Sequence, residues 1–63
     1  MKVWIGYHCY DTGEDVFRTV EKVFDDEVKA LLWVEDEEFK KNAERDFQGQ
    51  VVEWREYAEM VVE

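Results

Sequence analysis

The 63-residue chain has no proline, no serine, a single cysteine, a single histidine and three glycines. Each shortage excludes something. Without proline or a low-complexity run, nothing marks a disordered linker, so order is expected throughout. Without serine there is no serine nucleophile. There is also no glycine-rich phosphate loop and no cleft-forming insertion, so no catalytic residues are assigned and a non-enzymatic protein is expected. A lone cysteine excludes an internal disulfide and fits a reducing cytoplasm. No apolar run approaches the length of a membrane span, and the N-terminus enters a strand pattern at once rather than a signal peptide. A cytoplasmic, single-domain protein is the expectation.

Cations are scarce as well. Eight Lys and Arg face 17 Asp and Glu, a net charge of −9. Residues 1–32 carry four basic and seven acidic side chains; residues 33–63 carry four and ten. Direct binding to nucleic acid or to an anionic membrane needs clustered Lys and Arg and is not expected. A basic partner would be attracted and steered. The same acidity keeps a small chain soluble when 16% of it is Phe, Trp and Tyr.

What is present is organised around Val23 to Phe47, the longest stretch with a helical period. Val28, Leu31, Leu32, Phe39 and Ala43 fall on one stripe, with Phe24 and Phe47 at its ends. Asp25 or Asp26 suits the N-cap, Lys40, Lys41 and Arg45 suit the C-terminal end, and Gly49 stops the helix. Glu35 lies on the apolar stripe. Either it sits at the rim, or the helix breaks near Glu35-Asp36 and restarts with Asp36 as a second cap. Trp33 and Val34 fall off the stripe, so Trp33 is expected to stand away from the core.

Before the helix, residues 2–10 alternate as a strand. Val3, Ile5, Tyr7 and Cys9 form the better core face; Trp4, Gly6, His8 and Tyr10 form the other. Residues 11–15 make a hairpin turn, and residues 16–24 a second strand whose imperfect alternation suggests a bulge. After the helix, residues 48–50 turn the chain into a third strand over 51–57, with Val52 and Trp54 toward the helix. The tail 58–63 extends that strand or forms a short one of its own. The expected fold is α+β: a two-layer sandwich of order ββαβ, with a three-stranded antiparallel sheet (four-stranded if the tail pairs separately) and one helix on one face. The uncovered face, with Trp4, His8 and Tyr10 as candidates for it, is expected to be used, and so a homodimer is expected.

The remaining motifs favour structural roles. Asp11-Thr12-Gly13 matches the triplet of aspartic proteases, but that chemistry needs two carboxylates in a much larger barrel. His8 and Cys9 are neighbours on a strand, so they point to opposite faces and cannot share a metal ion. The runs Asp25-Asp26-Glu27 and Glu35-Asp36-Glu37-Glu38 lack the calcium-loop pattern; capping and a solvated face account for them, with mimicry of nucleic-acid charge as the alternative. No metal or cofactor is expected.

The order strand, turn, strand, then V-F-D-D-E-x-K-A (Val23 to Ala30) opening the helix and V-V-E-W-x-E (Val51 to Glu56) in the last strand resembles small ββαβ proteins of unassigned function in phages and bacteria. Such short acidic chains are similar to anti-defence proteins, including anti-CRISPR inhibitors. The resemblance implies a protein that works in the host cytoplasm by binding and occluding a host protein complex, without catalysis. It carries over no functional residue. From the surplus aromatics and the acidity, the candidate partner contacts are Trp4, Tyr10, Trp33 and Tyr57, with Glu35, Asp36, Glu37 and Glu38 at the rim. Two other classes remain open: a homo-oligomeric sponge for a nucleotide signal, and a structural or regulatory homodimer without a defence role.

Overall fold

A computed structural model describes residues 1–63. Strand β1 (Lys2–Asp11) is central, flanked by β2 (Val16–Phe24) and β3 (Glu53–Val61), and both pairings are antiparallel. Between β2 and β3 the chain crosses one face of the sheet as two short helices, α1 (Glu27–Val34) and α2 (Glu37–Asn42). The α+β order ββαβ is therefore observed, with the helical segment divided in two.

Local chemistry accounts for each boundary. In the β1–β2 turn, Asp11 Oδ1 accepts from the Gly13 N–H at 2.8 Å, and Gly13 takes φ +92°. In β2 the register slips between Gly6↔Lys22 and Tyr7↔Val20, so Glu21 is the extra residue of a bulge. Asp26 caps α1, its carboxylate accepting from the Val28 N–H at 2.9 Å. Asp36 then caps α2, accepting from the N–H groups of Glu38 and Phe39 at 3.0 and 3.3 Å. The break at Glu35-Asp36, one of two alternatives in the sequence, is the one adopted. The tail takes no strand of its own: residues through Val61 belong to β3, pairing as far as Lys2↔Val61.

Several expectations need correction. The helix does not run to Phe47. It ends at Asn42, and Asp46 organises a tight loop by accepting from the N–H groups of Gln48 and Gln50, both at 2.9 Å. Phe47 is 96% exposed in that loop. Val51 precedes β3 and forms only an isolated bridge with Arg45.

The two sheet faces are also the reverse of the expectation. A Cβ on Gly6 would lie 2.7 Å from Trp33 Cζ3 and 3.0 Å from Phe24 Cε2, so Gly6 lies directly under the α1 tryptophan. Trp4, Gly6, His8 and Tyr10 therefore face the helices, as do Glu53, Arg55 and Tyr57 of β3. The uncovered face carries Val3, Ile5, Tyr7 and Cys9, with Val16, Arg18, Val20 and Val23 beside them from β2 and Trp54, Glu56, Ala58 and Met60 from β3. On α1, Ala30 is fully buried, whereas Val28, Leu31 and Leu32 are 59%, 44% and 66% exposed. Trp33 is thus a core anchor, not a residue standing off the core. Six of the eight residues in α1 are apolar, so the stripe had no unique direction. The glycine gap in β1 and the size of the indole select Trp33 as the inward residue.

The molecule is thin, with extents of 43 × 25 × 12 Å. Its radius of gyration is 13.0 Å, against about 11 Å for a compact chain of this length. Its 4924 Å² of accessible surface exceeds the roughly 4300 Å² of a compact protein of this mass. Besides Gly6, only Cys9, Ala30 and Ala43 are buried.

Because a methyl group at Gly6 meets two aromatic rings, Gly6→Ala is expected to destabilise the chain by about 1–3 kcal/mol. Urea unfolding followed by tryptophan fluorescence checks this. An unchanged midpoint would mean that Trp33 does not rest on Gly6.

Candidate interaction surfaces

On the helical side, Arg55 is the main connector. Its guanidinium stacks 4.4 Å from the Trp33 ring and 4.1 Å from the Phe39 ring. Its Nη1 donates to the Trp33 carbonyl at 3.0 Å and approaches Asp36 Oδ2 at 3.6 Å. One side chain of β3 thus holds both helices and the carboxylate that caps the second. Planar stacking and directed N–H donation together suit Arg and not Lys.

Beside it, His8 Nε2 donates to Glu53 Oε2 at 2.6 Å, and the other Glu53 oxygen accepts from the Glu44 N–H at 3.0 Å. The edge of His8 meets the Phe39 ring. These contacts tie the centre of the sheet to the chain emerging from α2. His8 and Cys9 do point to opposite faces, and no three His, Cys, Asp or Glu side chains converge as a metal site.

The sequence candidates lie on the helical side, the four rings partly buried and the four carboxylates exposed. Trp33 packs on Gly6 and Phe24. Trp4 is half-buried, its indole Nε1 shielded and without a partner. Tyr10 sits near Glu44, whose carboxylate hydrogen bond raises the phenol above its ordinary value. The Tyr57 hydroxyl donates to Glu27 at 3.4 Å, and loss of solvent is the first cause of its raised value. Glu35 pairs with Lys40 at 2.6 Å. Asp36 is committed to the cap and to Arg55, while Glu37 and Glu38 are exposed in the first turn of α2.

Two surfaces were not legible as such. The first is the outward side of α1. Val28, Leu31 and Leu32 are exposed there; Asp25, Asp26 and Glu35 lie in the turns that flank the helix, and Glu38 in the first turn of α2. The second is the open sheet face. It is apolar apart from Arg18 and Glu56, which pair at 2.9 Å, with Asp11 at the hairpin end. Arg18 also lies 4.5 Å over the Tyr7 ring. Cys9, at the centre, donates to Glu56 at 3.0 Å and is fully buried. Burial first, then Glu56, pushes its thiol up to about 11, so it stays protonated and unreactive at neutral pH.

A cleft of about 420 Å³ opens between α2, the loop after it and β3. Val34, Phe39, Ala43, Val51 and Trp54 line it, together with Lys40, Arg45, Arg55 and one carboxylate, Glu53. Three of the eight cations gather there.

Glu53 titrates below its ordinary value of 4.5, first because of His8 and next because of the Glu44 N–H. The folded state therefore favours its charged form. That stability is present above the ordinary value and is lost as pH falls through the depressed one. Glu53→Gln should cost about 1 kcal/mol at neutral pH, discounted for partial exposure, and progressively less under acid. Urea midpoints of both proteins across pH 3–7 test this (~pH 3 lying below the ordinary carboxylate range); a gap that does not narrow in acid would exclude a charge-dependent role.

A scan against protein-family models and searches of curated proteins and of solved structures found no match.

Proposed function

We propose that this chain is a non-enzymatic interaction protein that binds a host protein complex of bacterial immunity and inhibits it by occlusion. The observation that carries the binding role is the outward side of α1. Val28, Leu31 and Leu32 form an exposed apolar stripe on a helix whose Ala30 and Trp33 already hold it to the sheet. Apolar side chains held on a rigid element and rimmed by carboxylates suit a partner with an apolar groove and a basic border. Burial of the stripe supplies affinity, and the charge of −9 speeds encounter with such a partner. The anti-defence role is drawn from the resemblance to small phage proteins. The acidic surface suits it, because proteins that handle nucleic acid present basic surfaces to block.

The test is phage plating on bacteria that carry a defence system, with and without the chain expressed. Plating should rise by orders of magnitude for the defence it blocks. Leu32→Glu, at a 66% exposed position, should keep the circular dichroism spectrum and weaken partner binding by about 2 kcal/mol. Plating unchanged across defended strains would defeat the anti-defence role.

The cleft beside α2 favours a second reading, a sponge for a small anionic signal. Lys40, Arg45 and Arg55 line it with the Phe39 ring, a combination that suits a nucleotide phosphate and base. Against this, Lys40 already pairs with Glu35, and Arg45 donates to the Gly49 carbonyl at 3.0 Å. Calorimetric titration with cyclic nucleotides separates the two. Saturable micromolar binding abolished by Arg45→Ala would favour the sponge; no heat would leave occlusion of a protein.

A further inference from the structure

We infer that the open sheet face is the interface of a homodimer, in which two copies stack sheet on sheet with their helical layers outward. This inference does not depend on the proposed function. It starts from a deficit. Only four residues of 63 are buried, and the thin molecule exposes more surface than its mass requires. A domain this small is marginal even with a full core. Part of the missing burial lies on the open face: Val16, Val20 and Val23 of β2 are all more than half exposed and lie in register with β1 there.

Size fits a second copy. Extents of 43 × 25 Å give the flat face a footprint on the order of 800 Å², about one partner's share of a standard interface. Two antiparallel sheets meeting through such faces form a sandwich with inner side chains in a layer about 10 Å thick.

Charge selects a copy of this chain rather than a basic partner. Two molecules of −9 repel each other, yet the centre of this face is neutral. Arg18 and Glu56 satisfy one another within each copy, and Glu56 also accepts from Cys9. No acidic run lies here; both occupy the connection that carries the helices. A basic partner would find only Asp11, at the hairpin end, to pair with, whereas an identical face meets it with a neutral apolar centre.

The test is sedimentation equilibrium of the full chain at micromolar concentrations, with thermal unfolding over a range of concentrations. The expected mass is twice 7.7 kDa, and the unfolding midpoint should rise with concentration. The double variant Val20→Lys/Val23→Lys should weaken association by at least about a hundredfold, since it sets two cations against an apolar layer. Leu32→Lys, on the opposite side, should leave the mass unchanged. If the double variant fails to fold, the concentration dependence of the unmodified chain still decides. A 7.7 kDa species whose midpoint ignores concentration would overturn the proposal. So would a dimer that survives the double variant and is lost in Leu32→Lys.

Discussion

The structure depends on one stack of groups: the Gly6 backbone, the Trp33 indole, the Arg55 guanidinium and the Phe39 ring. A short helix of eight residues cannot hold itself together in water, so tertiary contact must do it. That contact is unusually local. The indole needs a gap in the central strand, and only a residue without a Cβ provides one. Arg55 then covers the outer ring and bonds the carbonyl at its base. The same cation reaches the carboxylate that starts α2. Sheet, first helix and second helix are therefore coupled through one side chain whose partners are two rings and two oxygens.

Using cations this way shapes the surface. Arg55 is 16% exposed and faces inward; Arg18 lies over Tyr7 and is engaged by Glu56. Lys29 and Lys40 pair with neighbouring carboxylates. Few cations are left to neutralise the helical connection, where the two acidic runs lie. The acidity of the helical side is thus partly a consequence of how the fold spends its small basic complement. On the sheet's other side Arg18 and Glu56 neutralise each other, and the centre around them stays apolar. One layer of helices on a three-stranded sheet gives a molecule with two unlike faces: acidic with an apolar stripe, and neutral and flat.

How much of this the sequence carried depends on the element. The α+β class, the hairpin turn at Asp11–Asp15 and the bulge in β2 were legible, because turn chemistry and broken alternation are local signals. The second cap at Asp36 was visible as an alternative, because a carboxylate three residues before Phe39 suits an N-terminus wherever it falls. The direction of the faces was not legible. Both sides of β1 carry aromatic or aliphatic groups, and α1 is apolar nearly all round. Alternation and helical period mark an amphipathic element, not one apolar on two sides. The overlooked signal was Gly6. A glycine in the middle of a strand often marks a close approach, and a tryptophan without an assigned place was available to make it. Of the candidate contacts, the acidic ones are on the surface and the rings are largely packed, because a chain this small needs its large rings for its own core.

The two faces also differ in what they can tolerate, and this bears on how such a molecule could act. A substitution at Val28 or Leu32, both more than half exposed on the outward side of α1, is freer to follow another protein's surface. A substitution on the open sheet face sits beside Cys9, Arg18 and Glu56, where the central strand has its only fully buried side chain. Recognition is therefore better placed on the helices, and permanent association on the sheet. With the sheets stacked, two helical faces would point away from each other in one rigid body. Binding at one would then bring the second close to any repeated subunit of the same target, raising affinity through effective concentration rather than new contacts. For a 63-residue chain, which has little surface to give to any single partner, doubling the binding face is a larger gain than enlarging it.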